Sequence, residues 1–362
     1  MKIQVCSIFT ILLLFLTISS AADPNYTSGQ DFVQCLIRSS STSISKVIYT
    51  SQNSTYTSVL KFSINNLRFD TPTTPKPIVI VKPVDESQIQ TVIYCCKKHD
   101  IQMRIRGGGH DYEGLSYVAQ VPFVLLDMIN LRSISVDPVK ATAWVGAGAT
   151  LGELYYHIGQ KSDTLGFPAG IWSTVGVSGL VSGGGYADDS PAGLLNRTAY
   201  KIPFKAKSDF VDKPISREGL EGLWKILLQQ EPGRTNFLFT SYGGKMAEIS
   251  ESAIPFPHRA GTLYMMYMRV RTDGDTMDSM KWIRGLYKYL TPYVTSSPKT
   301  AYVNYNDLDL GVNNLQGTTS YKQASKWGKK YFKNNFDRLV IIKSVVDPDN
   351  FFRHQQSIPP FS

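Results

Sequence analysis

The hydrophobic pattern divides the chain into three stretches of different character. Lys2 is followed by an apolar run over residues 8–18, closed by the small residues Ser19, Ser20, Ala21 and Ala22. A basic start, a short apolar core and a small-residue cut site describe a secretory signal peptide over residues 1–22. No later segment reaches the roughly 18 apolar residues that a membrane-spanning helix needs, so no membrane span is expected.

Residues 74–186 alternate short strands and helices. Residues 77–82 read as a buried strand, and Ser87 with Gln90 three residues on reads as a capping box opening a helix. That helix carries an apolar stripe of Ile89, Val92, Ile93 and Cys96 at the i, i+3, i+4, i+7 spacing. Residues 101–106 alternate apolar and polar, which predicts a strand with one buried face, and run straight into Gly107, Gly108, Gly109 and His110. Residues 124–128 form another strand, and residues 133–136 and 141–145 flank the turn sequence Asp137-Pro-Val-Lys140 as a hairpin. Thr150 and Glu153 make a second capping box. A second glycine-rich stretch follows, with Gly166, Gly170, Thr174-Val-Gly176, Gly179 and Ser182-Gly-Gly-Gly-Tyr186. From Ala187 the pattern stops in turn-forming residues.

Beyond that boundary, helices are expected over residues 217–230 and 280–290, with an apolar strand over 263–270. Residues 303–309 read as a strand end leading into a loop. Lys322, Lys326, Lys329, Lys330 and Lys333 lie on an amphipathic helix whose other face carries Tyr321, Ala324, Tyr331 and Phe336. Asp347 is expected to start a last short helix.

Composition fits a folded globular chain: 362 residues, 42% hydrophobic and 19% charged, long enough for two domains. The net charge of +9 comes from dispersed residues, so a nucleic-acid partner is not expected. Weak association with an anionic cell-wall matrix fits the charge better. The sequons at Asn25, Asn53 and Asn196 would be N-glycan acceptors in a secreted protein. Of four cysteines, Cys6 leaves with the signal, so Cys35, Cys95 and Cys96 allow one disulfide and one odd thiol. Cys96 sits mid-stripe and reads as core; Cys95, off-centre, is the better partner for Cys35.

Hydrolase and metal signatures are missing: there is no G-x-S-x-G, no H-E-x-x-H and no zinc-like Cys/His spacing. Gly146-Ala-Gly148-Ala-Thr-Leu-Gly152 departs from the dinucleotide-binding spacing and lacks its acidic partner. Two glycine clusters, one ending in His110, instead point to close backbone approach to a large anionic cofactor.

Arg106-Gly-Gly-Gly-His110-Asp-Tyr-Glu-Gly-Leu-Ser-Tyr117 closely resembles the covalent-flavin loop of plant berberine bridge enzyme-like oxidases. Phe167-Pro-Ala-Gly170, Thr174-Val-Gly-Val, Pro255-Phe-Pro-His-Arg-Ala-Gly261, Asn304-Tyr-Asn-Asp-Leu-Asp-Leu-Gly311 and Gln356-Ser-Ile-Pro-Pro360 resemble the same family. The resemblance implies an α+β chain with a vanillyl-alcohol-oxidase or PCMH-type FAD-binding domain. That domain would span residues 23–190. A truncated antiparallel-sheet-plus-helices substrate domain would follow over 191–300, and a C-terminal segment over 301–362 would return to the FAD domain.

The resemblance also implies FAD held by one covalent attachment through His110, at the flavin's 8-methyl carbon. Arg106, Gly107, Gly108, Gly109, Asp111, Thr174, Val175, Gly176, Gly179, Gly185 and Asn304 match cofactor-binding positions. Tyr305 matches the catalytic base, and Tyr112 and Tyr186 match tyrosines over the flavin. Substrate hydride would pass to flavin N5 and O2 would reoxidise it to hydrogen peroxide. The family's disulfide joins the positions of Cys35 and Cys95. Localisation would be extracellular, in the cell wall, or vacuolar.

Three positions depart from the family pattern. Trp172 stands where relatives carry a second, cysteine tether, and its indole is expected to narrow the site. Asn306 stands where many carry arginine, and Met265 where some carry lysine. In addition, a central block of about 100 residues or more, the size of a small domain, is missing after Tyr186. Two readings result: an active secreted FAD oxidase acting on an alcohol (sugar or phenolic) or alkaloid-like substrate, or a catalytically inactive, truncated secreted glycoprotein that keeps part of the fold.

Overall fold

The computed structural model describes residues 24–170, 172–183, 195–229, 234–273 and 276–361. Its first sheet is built from the near-continuous apolar runs of the N-terminal half. Ile48–Thr50 (β1), Val79–Val81 (β2), Gln102–Arg106 (β3) and Phe123–Asp127 (β4) lie in the order β1-β2-β4-β3. β4 pairs in parallel with both β2 and β3, and β1 is antiparallel to β2. Parallel strands need both faces covered, and they are. Val79, Val81, Val124 and Leu126 pack with Phe32 and Leu36 of Pro24–Ser39 (α1) and with Val92 and Cys96 of Glu86–Lys98 (α3). Ile80 and Leu125 pack with Leu60 of Tyr56–Phe62 (α2) and with Tyr117.

A disulfide joins Cys35 of α1 to Cys95 of α3, and Cys96 is a buried free thiol. The α3 cap differs from the sequence expectation. Asp85 is the N-cap, accepting from the Gln88 amide, because a carboxylate satisfies the first-turn donors better than the Ser87 hydroxyl, which itself donates to Asp85. The one-buried-face reading of β3 also fails: Arg104 and Arg106 are buried whereas Ile105 is 45% exposed. β3 is an edge strand, and both guanidiniums are buried with hydrogen-bond partners: Arg104 donates to Val118 and Arg353 carbonyls.

The predicted hairpin is present as Ile134–Asp137 (β5) and Thr142–Val145 (β6), with Asp137 accepting from the turn amides of Val139 and Lys140. Leu151–Gly159 (α4) starts at the complete Thr150–Glu153 capping box, and Val177–Gly183 (α5) lies C-terminal to it. These two helices and the hairpin flank an apolar hollow of about 640 Å³, lined by residues such as Val145, Leu154, Ile158, Phe167, Val177 and Val181.

The second half forms a three-stranded antiparallel sheet, Phe204–Val211 (β7), Thr235–Ser241 (β8) and Tyr264–Arg271 (β9), in the order β7-β9-β8. Arg217–Leu228 (α6) and Thr276–Tyr289 (α8) cover one face, with Leu223, Ile283 and Leu286 against Met266, Met268 and Val270. The short helix Lys245–Glu248 (α7) follows β8.

The basic C-terminal helix is two helices, Tyr321–Phe332 (α9) and Asn335–Val346 (α10). The chain breaks at Lys333, whose φ is +45°, and Phe336 folds back onto Gly328, where any Cβ would collide with its ring. Residues 303–309 form 3-10 turns rather than a strand end. Asp347 does not open a helix: it caps α10, and its carboxylate accepts from the amides of Phe351 and Phe352. Phe351 belongs to the same core as Val79 and Val124.

Candidate active site

The two glycine clusters meet in space. A Cβ on Gly108 would collide with the Gly176 nitrogen and the Thr174 carbonyl, and one on Gly109, at φ +72°, would collide with the Ser63 carbonyl. Glycine is therefore required here by the close approach of one loop to the other. Val175 is tied to the start of α4, its carbonyl accepting from the Leu151 amide. Gly179 is exposed, with open space around it. Tyr186 and Gly185 lie outside the described residues.

Four consecutive residues after the first glycine loop tie it to the second loop, to residues 305–306 and to β7. His110 Nε2 lies 2.8 Å from the Thr174 hydroxyl, and burial lowers its pKa to about 4, so the imidazole is neutral at physiological pH. The Asp111 carboxylate accepts from the amides of Glu113 and Leu115 and from the Asn306 carboxamide at 3.2 Å. Burial raises its pKa despite these bonds. The Tyr112 ring stacks on Tyr305, with centroids 5.1 Å apart and planes within 5°, and burial pushes its phenol well above the ordinary range. Glu113 is buried and pairs with Lys205 and Arg68.

Tyr305 sits among aromatics, with Tyr267 and Tyr302 centroids at 4.8 and 4.9 Å and Phe204 behind Tyr112. Its position is fixed by Asp307 two residues on. The Asp307 carboxylate accepts from Lys205 and Lys207 at 2.6 Å each, and its backbone bonds the Tyr331 hydroxyl and the Gln356 carboxamide. Asp309 pairs with Lys207 and Arg284, and this cationic surrounding holds its carboxyl far below the usual range even though burial opposes it. Asn304 donates to the Leu180 carbonyl and the Tyr302 hydroxyl, and its side chain fills the space beside Gly183.

One expectation needs correction. The Arg106 side chain is directed away from the glycine loops, buried and bonded to Asp127 at 2.7 Å and to the Val59 and Leu60 carbonyls at the end of α2. Its charge is used in the first sheet, not on a cofactor. Trp172 is 58% exposed. Tyr267 and the Lys205–Lys207–Asp307 cluster escaped the sequence reading. The period-2 spacing of Lys205, Lys207 and Asp209 was the available signal, since it places three charges on one face of β7.

The comparisons with known proteins agree with this arrangement. Residues 77–196 match the FAD binding domain family, and residues 301–359 match the family described as Berberine and berberine like. Tetrahydroberberine oxidase of Berberis wilsoniae is 33% identical, with 100% of this chain and 99% of the relative covered. The chain belongs to the berberine bridge enzyme-like family. Berberine bridge enzyme-like 25 of Arabidopsis thaliana is 34% identical over 99% of this chain and 98% of its own length. The crystal structure of Phl p 4, a grass pollen allergen with glucose dehydrogenase activity, superposes with a TM-score of 0.85 at 27% identity, covering 91% of this chain and 100% of that one.

The fold is accordingly α+β, with a PCMH-type FAD-binding domain and a truncated substrate sheet. The family comprises FAD-linked oxidases and dehydrogenases acting on alkaloids and sugars. The alignment with the Berberis oxidase runs over 532 positions whereas this chain has 362 residues, so at least 170 aligned positions have no residue here. The residues that remain fit FAD. Loops 107–110 and 174–179 contain no acidic side chain to repel a pyrophosphate, and Asp111 beside them is turned to Asn306. His110 offers a neutral nitrogen ligand where the loops converge. Among the described residues no helix is long and apolar enough to cross a membrane.

Proposed function

We propose that the chain is a secreted FAD-dependent oxidoreductase acting on an alcohol, either a sugar or a phenolic alcohol, or on an alkaloid-like amine. One observation carries the reading: a neutral His110, bonded to Thr174 across two converging glycine loops, stands two residues from a stacked tyrosine pair. FAD, when bound, supplies the hydride acceptor at N5 and, through O2, the oxidant that leaves as hydrogen peroxide.

The chain's own residues supply the rest. His110 would carry the single covalent attachment, with Thr174 fixing its ring. Gly107, Gly108, Gly109, Asp111, Val175, Gly176, Gly179, Gly185 and Asn304 would complete the cofactor surface, and Arg106 would support it only indirectly through the α2 end. Tyr305 takes the proton from the substrate hydroxyl or amine at its phenol oxygen. Tyr112, held as a protonated phenol, keeps the Tyr305 ring in register by stacking, and Tyr186 would close the site from the second loop. In this reading residues 1–22 are a signal peptide. Residues 23–190 and 301–362 together hold the flavin, and 191–300 bear the substrate surface. Asn53 and Asn196 are exposed, as glycan acceptors must be; Asn25 is the third candidate.

A second reading, an inactive secreted glycoprotein, is favoured by the open 640 Å³ hollow against α4 and α5. In-gel flavin fluorescence after denaturation separates the two. A fluorescent band in the secreted protein, lost in His110→Ala, supports the oxidase; soluble, well-folded protein without any flavin leaves the second reading standing.

A further inference from the structure

On the face of the second sheet that packs against Tyr112 and Tyr305, β9 carries Tyr267 and Arg269, two residues apart and therefore on one side of the strand. Tyr267 belongs to the tyrosine nest, its ring centroid 4.8 Å from that of Tyr305. Arg269 stands at the border of the nest and is half-buried. Its guanidinium carbon lies 5.7 Å from the centre of the Phe204 ring, which in turn packs edge-on against Tyr112. The antiparallel register sets Leu238 of β8 opposite Tyr267 and Asn236 opposite Arg269. Asn236 is exposed and Leu238 is 48% exposed, so this part of the face opens to solvent.

Arg269 differs from the next arginine on that face in what meets its charge. Arg271, two residues on, pairs with Asp273. Arg269 has only neutral partners among the described residues: Nη2 donates to Asn236 Oδ1 at 2.9 Å, Phe204 offers its ring, and Nε is buried without a hydrogen bond. The Asn236 oxygen takes the Arg269 bond, which leaves the Asn236 amide hydrogens without a protein acceptor. The charge also reaches the nest. Burial raises the pKa of Tyr267 and of Tyr112, and the Arg269 charge opposes that rise at both. A guanidinium that has given up part of its hydration and has no counter-ion offers a planar fork of donors to a carboxylate. With Arg271 answered by Asp273, one positive charge remains here, which matches a monoanion better than a phosphate dianion.

We infer that Arg269, with Asn236 beside it, binds a carboxylate carried by the substrate and so determines specificity. That the ligand is a substrate rests on the oxidase reading above; the carboxylate site itself rests on the side chains of β8 and β9. The step from Tyr267 to Arg269 is about 7 Å along the strand, close to the span of one benzene ring with its para substituents. An aromatic alcohol whose hydroxyl lies at Tyr305 can therefore rest its ring against Tyr267 and Phe204 and place a para carboxylate on Arg269. The substrate class is accordingly an acidic aromatic alcohol. A neutral alcohol would leave the charge unanswered, and a cationic alkaloid would be repelled by it.

Isothermal titration calorimetry on the full chain with 4-methylbenzoate and 4-methylbenzamide, each up to about 10 mM, tests the site without requiring turnover. The two probes share a shape and differ in charge. Wild type should bind the acid at least about tenfold more tightly than the amide, and Arg269→Gln should lose that preference. Arg269→Lys, which keeps the charge, should retain it, and this separates a lost charge from a damaged fold. In flavin-loaded protein, oxygen uptake should favour 4-(hydroxymethyl)benzoate over 4-methylbenzyl alcohol. The ratio of the two kcat/KM values should fall about tenfold in Arg269→Gln. No turnover of either alcohol, with the acid still bound through Arg269, removes the oxidase reading and keeps the carboxylate site. A wild type without preference for the acid overturns the inference, and so does a preference that survives in Arg269→Gln.

Discussion

Arg106→Met separates two roles that one position could play. In the structure the guanidinium is fully buried, bonded to Asp127 Oδ2 at 2.7 Å, to the Leu60 carbonyl at 2.6 Å and to the Val59 carbonyl at 3.0 Å. Methionine preserves much of the volume but leaves Asp127 as a buried carboxylate without its cation. Removing one partner of a buried pair costs about 3–5 kcal/mol, mostly from the charge left behind. The two α2 carbonyls also lose their donors, at about 1 kcal/mol or more each, so the upper half of that range is expected. At a urea slope of roughly 3 kcal/mol per M, the midpoint falls by about 1.3–1.7 M.

The assay is urea unfolding followed by far-UV circular dichroism, run beside Arg106→Met/Asp127→Asn. The double variant leaves no unpaired charge, while the introduced carboxamide oxygen can still accept from the Ile129 amide, as the Asp127 carboxylate does. It should therefore recover a substantial part of the loss. A midpoint unchanged in Arg106→Met, together with release of flavin, would refute the reasoning and return Arg106 to the cofactor surface.

Further outcomes follow from other parts of the molecule. Tyr305→Phe, in flavin-loaded protein, should lower kcat by about 10²-fold or more while flavin content is kept; steady-state oxygen uptake with absorbance at the flavin bands checks both. Acid should destabilise the fold. Burial lowers the pKa of His258 and His354 to about 3, so below the ordinary value of about 6.5 the unfolded chain binds protons that the folded one does not. Stability is then complete above about pH 6.5 and falls towards pH 4, by about 2 kcal/mol per histidine at pH 5. His258→Phe, which keeps the stack on Phe210, should flatten that slope in denaturation at pH 7 and pH 5. Cys35→Ser/Cys95→Ser opens a 60-residue separation and should cost about 4 kcal/mol, read in the same unfolding assay.

What the sequence could reveal depended on whether the signal was local. The hairpin with its Asp137 turn, the Thr150–Glu153 box and the helices near residues 217 and 280 were legible because propensity, capping and period all act within a few residues. The pairing of Cys95 rather than Cys96 followed from a helical stripe for the same reason. Arg104 and Arg106 misled because alternation assumes that charge faces water, and here the charge is satisfied by Asp127 and by carbonyls distant in sequence. Asp347 resembled a helix start because the residues that stop a helix and those that cap one are the same types. Of the aromatic nest around Tyr305, the family resemblance supplied Tyr112 but not Tyr267: the three come from separate segments, and nothing in their spacing links them.

The cofactor loop and the segment of the proposed base bear on each other through the charge cluster. Lys205 is held by Glu113, three residues from His110, and by Asp307, two residues from Tyr305. One lysine of the substrate sheet therefore bridges the cofactor loop and the segment carrying the proposed base. It lies on β7, an edge strand that is buried along its length. The second glycine loop borders the open hollow, because α5 begins one residue after Gly176 and lines it. A chain that holds flavin through His110 would therefore keep Tyr305 in place through the Lys205 bridge to Glu113 and Asp307.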